Sequence, residues 1–261
     1  NNGLRFLRYY QLDAVKHLQE AVREGKDRFL FEMATGTGKT LTSAAIIKLF
    51  IRSKNARRVL FLVDRIELED QAYKDFTNYL KPDYTTFIYK QHKSDWRKAD
   101  IVVTTIQSLL FNNKYREFFS PSDFDLLISD ESHRSVSGNS RAVFEYFSGY
   151  KLGLTATPKR EDNVDTYKYF GKPIYEYSLN DGISDGFLTP YKVKRVKTNI
   201  DEYIHTNDNK VIQGEIKKDR YDINDFDKVI TIRERTDLIA RAILNNIGRM
   251  EKTIVFCANQ D

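Results

Sequence analysis

Met33-Ala34-Thr35-Gly36-Thr37-Gly38-Lys39-Thr40 is the stretch whose reading decides the fold. A short apolar run, Arg28-Phe29-Leu30-Phe31-Glu32, leads into it, and a run with helical spacing, Leu41 to Phe50, leads out of it. A strand, a glycine-bearing turn ending in Gly-Lys-Thr and then a helix is the order of a phosphate-binding loop. In such a loop the backbone N–H groups and the positive helix end face phosphate oxygens. Thr35, Gly36, Thr37 and Gly38 are the expected cradle. Lys39 is expected to reach the β- and γ-phosphates of a nucleotide, and Thr40 to offer its hydroxyl to Mg²⁺. The strict pattern opens with Gly, and Met33 stands there instead. The two glycines that must turn tightly, Gly36 and Gly38, are both present.

Outward from this loop the chain alternates strands and helices. Leu12, Val15, Leu18 and Val22 recur at helical spacing within residues 4–24. Just ahead lies Arg8-Tyr9-Tyr10-Gln11, whose amide can both donate to and accept from an adenine edge. Downstream, Val59-Leu60-Phe61-Leu62-Val63 is fully apolar, as a central parallel strand should be. Ile66 to Leu80 reads as a helix, Thr85 to Tyr89 and Ile101 to Thr105 as strands, and Arg141 to Phe147 as a short helix. Leu126 to Ser129 runs into Asp130-Glu131-Ser132-His133, and Lys151 to Leu154 runs into Thr155-Ala156-Thr157-Pro158. This alternation predicts an α/β fold, a right-handed, doubly wound parallel sheet that carries a phosphate-binding loop. The polar motifs all follow apolar strands, so they converge on the edge where such sheets bind ligands.

An acidic strand end is the natural partner of a phosphate loop. Asp130 is expected to hold Mg²⁺, and Glu131 to polarise a water for in-line attack on the γ-phosphate. Thr155 and Thr157 are expected near that phosphate. Arg65, Thr105 and Gln107 start helices after strands and could grip a nucleic-acid backbone, although each alone could also be a cap or a solvated residue. Nuclease-like carboxylates, such as Pro82-Asp83 with Gln91-His92-Lys93, lie in turns without a paired second carboxylate and read as chance. His133 has no His or Cys nearby and reads as a polar link beside the acidic pair.

The chain has 261 residues, 41% hydrophobic and 30% charged, enough for one large domain or two ordinary ones. A net charge of +5 is compatible with nucleic acid and does not demand it. A single cysteine, Cys257, allows no internal disulfide or zinc framework. No signal peptide or membrane-length apolar stretch is visible, so a reducing, intracellular setting is the expectation. Residues 1–185 are expected to form the nucleotide-binding domain, 186–232 a connector or insertion, and 233–261 the start of a second α/β domain. Within these, 159–170 reads as a polar loop, Tyr191 to Val196 as β-like, Thr231 to Met250 as a strong helix and Thr253 to Cys257 as a buried strand. Both ends of the chain read as cuts through a longer protein.

These motifs together resemble a superfamily 2 helicase motor. Arg8-Tyr9-Tyr10-Gln11 resembles the adenine-reading motif, residues 33–40 motif I, residues 60–71 motif Ia, and Thr104 to Ser108 the Ib region. Asp130-Glu131-Ser132-His133 resembles motif II of the DExH type, Leu154 to Pro158 motif III, and residues 253–257 motif IV. Within that superfamily the chain resembles the motor (R) subunit of type I restriction enzymes, through Asp130 to Ser135, Tyr177 to Tyr191 and Asp225 to Ile230. A type III restriction subunit, another DExH helicase, and a nucleotide-binding module without turnover stay open beside it. The resemblance implies Mg-ATP-driven translocation on double-stranded DNA, in a bacterial or archaeal cytoplasm. It also implies assembly with specificity and methylation subunits and cleavage by a separate nuclease domain. Motifs V and VI, which complete the ATP site from the second domain, are not in these residues, so the resemblance implies half a motor.

Overall fold

The computed structural model describes residues 7–136, 138–156, 164–194, 202–206, 211, 215–222, 225, 230–248 and 250–256. Two compact units divide the chain, 1–190 and 191–261.

The first unit runs in chain order through α1 (Tyr9–Arg23), β1 (Arg28–Met33), α2 (Lys39–Arg52), β2 (Val59–Val63), α3 (Glu67–Leu80) and β3 (Thr86–Ile88). It continues through β4 (Ile101–Thr105), α4 (Ile106–Leu110), α5 (Lys114–Phe118), β5 (Leu126–Ser129), α6 (Ser132–Ser135) and α7 (Arg141–Tyr146). It closes with β6 (Tyr150–Thr155), α8 (Val164–Phe170), β7 (Tyr175–Tyr177) and α9 (Leu179–Ser184). The seven strands form one sheet in the order β3-β4-β2-β5-β6-β1-β7, every pair parallel.

The apolar runs become central strands because both faces are covered. Phe29, Phe31, Met33, Val59, Phe61 and Val63 face one apolar cluster with α1, α2 and α3. Leu30, Leu60, Leu62, Val102 and Leu127 face the other, built on Trp96, Phe119, Phe124, Phe144 and Phe147. Alternate residues of one strand thus bury on opposite faces, which removes the polar-apolar alternation of a half-exposed strand. Met33 is 0% exposed. It is the last residue of β1 and belongs to the core, which explains why this position carries a large apolar side chain where the loop pattern has Gly.

Gly149, just before β6, has no room for a side chain. A Cβ there would stand 2.5 Å from the backbone of Phe124 and Asp125. That backbone cannot yield without parting β5 from β6, because the Tyr150 N–H donates to the Asp125 carbonyl at 2.8 Å. Gly149→Ala is expected to cost about 3 kcal/mol. That lowers the melting temperature of this unit by roughly 6–12 °C, which thermal unfolding followed by circular dichroism checks.

Five expectations change. Residues 164–170 form a helix where 159–170 read as a polar loop, because Tyr169 and Phe170 bury against Phe144. Residues 186–190 read as the start of the connector but belong to the first unit, which also holds β7 paired with the edge of β1. In the second unit, α10 (Arg233–Leu244) is shorter than expected and has no buried residue. It follows the antiparallel pair β8 (Glu202–Ile204) and β9 (Arg220–Asp222). Residues 253–256 are not a buried strand: Ile254 is 81% and Phe256 94% exposed. Among the described residues no strand pairs with them, and a lone extended segment has nothing to satisfy its backbone or cover its side chains. Residues 191–194 are likewise irregular, and Val196 and Cys257 lie outside the described residues.

Candidate functional site

The sheet order explains the site. β1 ends in the phosphate loop and β5 ends in the acidic pair, and β6 lies between them. Strands are spaced about 4.8 Å apart, so the two ends stand roughly 10 Å apart, a gap that a lysine and a glutamate can span. Lys39 Nζ lies 3.8 Å from Glu131 Oε1. Residues 92 positions apart are thereby brought together at the carboxyl edge of the sheet.

The loop has the backbone its chemistry needs. Gly36 and Gly38 take φ of +85° and +79°, the left-handed region that L side chains rarely enter. Gly38 caps α2, and Lys39 and Thr40 are its first two residues. The first-turn N–H groups of a helix have no intrahelical acceptor and so face outward for an anion. Thr37 is buried and its hydroxyl donates to the Ala34 carbonyl at 2.6 Å. Its own carbonyl accepts from the Tyr10 hydroxyl at 2.8 Å and from Gln11 Nε2 at 2.9 Å. Gln11 Oε1 accepts the Arg8 N–H at 3.0 Å. The first turn of α1 therefore grips the phosphate loop directly. Tyr10 is the part of that grip that sequence reasoning did not single out. Gln11 is almost fully buried, and its amide ties the loop to α1. Arg8 is exposed beside it.

Asp130 and Glu131 follow β5 in a strained turn. Glu131 is left-handed, with φ of +50°, and its N–H donates to Asp130 Oδ1 at 3.0 Å. Such strain in a non-glycine residue costs of order 1–3 kcal/mol and is retained where geometry serves function. Burial pushes the Asp130 carboxyl above the usual carboxylate range, and Lys39 pulls against that rise. A buried carboxylate of this kind favours a cation beside it. His133 Nδ1 sits 2.9 Å from the Thr155 hydroxyl and 3.4 Å from Glu131 Oε2. Lys39, Glu131, His133 and Thr155 thus form one chain of contacts, from the loop after β1 to the turn after β5 and back to the end of β6. His133 is the polar link expected of it. Thr157 lies outside the described residues.

The donor set suits Mg-ATP: a left-handed glycine pair, a helix N-terminus, a lysine, the Thr40 hydroxyl and a buried aspartate. Among the described residues no group of three His, Cys, Asp or Glu could hold a metal alone. Mg²⁺ is characteristically held by one or two carboxylates together with substrate phosphates, and Asp130 is a carboxylate placed beside the loop lysine. Asp83 of the chance nuclease pattern is paired with Lys48 at 2.9 Å.

Arg65, Thr105 and Gln107 line one groove of about 650 Å³ at the ends of β2 and β4. Lys90, Lys93 and Lys114 line it too, and sequence reasoning missed them, because single lysines in loops carry no pattern. Thr105 itself is buried and caps α4, accepting the Ser108 N–H at 3.2 Å, so its part in the groove is structural. Its N–H donates to Glu69 Oε1 at 2.8 Å, and Lys90 lies 3.8 Å from Glu69 Oε2. Glu69 is 3% exposed. Burial raises its carboxyl, and the Thr105 N–H and Lys90 pull it back. This carboxylate pins α3, β4 and the turn after β3 beneath the groove.

The family profile described as "Type III restriction enzyme, res subunit" matches residues 5–160. The chain is 42% identical to the "Type I restriction enzyme EcoAI endonuclease subunit" of Escherichia coli, over 97% of this chain and 33% of that protein. It is 29% identical to the EcoKI endonuclease subunit of Escherichia coli K12, over 96% of this chain and 24% of that protein. The chain spans about a third or less of the length of these curated relatives. Among solved structures, a fragment ascribed to the HsdR subunit of a type I restriction enzyme from Vibrio vulnificus YJ016 superposes with a TM-score of 0.55 at 38% identity, covering 70% of this chain and 32% of that one. The type ISP restriction-modification enzyme LlaGI, in complex with a DNA substrate mimic, superposes with a TM-score of 0.60 at 26% identity, covering 71% of this chain and 18% of that one. The profile match spans more than half of the chain, which therefore belongs to the restriction-enzyme subunit family with a DExH helicase-type, RecA-like domain.

Proposed function

We propose that this chain is the first ATP-binding half of a DNA-translocating motor in a type I restriction enzyme. Mg-ATP is its cofactor and double-stranded DNA its track. Specificity and methylation subunits are its partners, in a bacterial or archaeal cytoplasm. Among the described residues no helix is long and apolar enough to cross a membrane. On this reading residues 233–261 begin a second RecA-like domain, 191–232 connect to it, and cleavage belongs to a nuclease domain elsewhere in the enzyme.

The observation that carries the reading is Lys39 standing 3.8 Å from Glu131, between a left-handed glycine loop and a buried Asp130. Mg-ATP supplies a transferable γ-phosphoryl group and a cation that neutralises its charge. Thr35 to Thr40 bind phosphate oxygens through backbone N–H groups and the Lys39 ammonium. Thr40 and Asp130 would hold the cation. Glu131 accepts a proton from the attacking water at its carboxylate. His133 and Thr155 couple that carboxylate to the end of β6, so its state can be passed to a neighbouring domain.

The test is ATP hydrolysis by the chain with and without linear duplex DNA, beside a duplex-binding titration in rising salt. Duplex stimulation, with weaker binding at high salt, supports the motor reading. Turnover stimulated by RNA and not by duplex DNA overturns it in favour of an RNA helicase. Lys90→Ala, Lys93→Ala and Lys114→Ala are each expected to weaken duplex binding irrespective of sequence. Each lysine that contacts a phosphate should lower the slope of log K against log salt by about one.

A further inference from the structure

Phe187 has no part in the chemistry above, yet it reaches the nucleotide site from the far end of the first unit. The segment that carries it is tied down at several points. The Phe187 and Leu188 N–H groups donate to the Gly182 carbonyl at 2.9 and 2.8 Å. The Tyr177 hydroxyl donates to Asp185 Oδ2 at 2.6 Å, and the Tyr9 hydroxyl donates to the same oxygen. Tyr177 stacks flat on Tyr10, with ring centroids 4.0 Å apart. Leu188 leans on the phosphate loop, 3.2 Å from where a Cβ on Gly36 would stand. The Phe187 ring then faces the first turn of α1, with its centroid 5.3 Å from that of Tyr10 and 4.4 Å from the Arg8 guanidinium carbon.

A guanidinium is a rigid plane with two faces and a rim of donors. One face of Arg8 lies on Phe187, and its Nη1 donates to the Tyr10 hydroxyl at 3.3 Å. Arg8 is otherwise exposed. Three residues on, Gln11 is bonded to the carbonyl of Thr37 in the phosphate loop. The free face of a fixed cationic plane thus stands beside the loop that takes the phosphates. Flat aromatic rings stack on such planes.

We propose that Phe187 is a positioning residue for the nucleobase. It holds the Arg8 guanidinium flat, so that the opposite face forms a shelf on which the base stacks. The proposal rests on the reading that Mg-ATP binds at Thr35 to Thr40, and it adds where base affinity is generated. That affinity is distinct from what the phosphates supply.

The test is calorimetric titration of the whole chain with Mg-ATP and, separately, with Mg-tripolyphosphate, which has the phosphates and no base. Phe187→Leu keeps apolar volume and removes the ring. It is expected to weaken ATP roughly five- to thirty-fold, the range for a partly desolvated cation–π contact, and to leave tripolyphosphate unchanged. Phe187→Tyr should retain both affinities. Arg8→Lys keeps the charge, loses the plane and should behave as Phe187→Leu does. An equal loss for both ligands would make Phe187 a strut of the phosphate loop and overturn the proposal. No loss for either ligand would overturn it as well. Lys39→Ala in the same titrations reports on the underlying reading. It should weaken both ligands, and if it weakens neither, phosphate binding at this loop fails and the shelf fails with it.

Discussion

Lys39→Ala is expected to weaken Mg-ATP binding about a hundredfold or more, and to bring hydrolysis to background. Charge-assisted hydrogen bonds contribute roughly 1.5–3 kcal/mol each, and a phosphate-bound ammonium makes more than one, so a loss near 3 kcal/mol is conservative. At 1.4 kcal/mol per tenfold this is about two orders of magnitude. The variant also removes the cation nearest the acidic pair. Lys39 lies 3.8 Å from Glu131 and is the main charge holding the Asp130 carboxyl down against burial. Asp130 should therefore rise further towards its protonated form and lose strength as a metal ligand. The fold should survive, because Lys39 is partly exposed in the first turn of α2 and fills no core position. A fluorescent-nucleotide titration beside a thermal melt separates the two outcomes. Unchanged nucleotide affinity would remove the phosphate-binding reading altogether.

Glu131→Gln is expected to leave binding nearly intact and to remove most of the turnover. Glutamine keeps the shape of the side chain and a hydrogen-bonding end, so affinity for Mg-ATP should stay within a few-fold. It cannot take a proton. General-base catalysis contributes typically 10²–10⁴-fold, so hydrolysis should fall by about that factor. Glu131 also faces His133 at 3.4 Å, and His133 meets Thr155 at 2.9 Å. The substitution removes the charge at one end of that line without removing its atoms. Single-turnover hydrolysis against bound-nucleotide occupancy makes the measurement. Unaltered rates would mean that the carboxylate is idle and would favour a nucleotide-gated binding module over a motor.

The motifs were legible because each is contiguous. Phosphate loop, acidic pair and the Thr155 strand end are short runs whose chemistry depends on neighbours in the chain. The strands were legible because burial on both faces demands unbroken apolar runs such as Val59 to Val63. Edge elements were not. Residues 166–170 alternate polar residues with three aromatics, and only the cluster around Phe144 shows that Tyr169 and Phe170 are buried. The run at 253–256 reads as a strand on composition, yet a strand is defined by a partner, and composition names none.

The sequence by itself determined the fold class, the glycine-bearing loop that ends in Lys39-Thr40 and the acidic strand end, because local spacing and hydrophobic period encode these directly. Tertiary structure alone decided that β6 enters between β1 and β5, which sets Thr155 against His133 and Lys39 against Glu131. It also decided that Lys90, Lys93 and Lys114 share a groove with Arg65 and Gln107, and that Phe187 returns to Arg8. Those meetings depend on the crossover order of the sheet. That order is fixed by burying two apolar faces at once, a property of the whole chain that no single stretch of it carries.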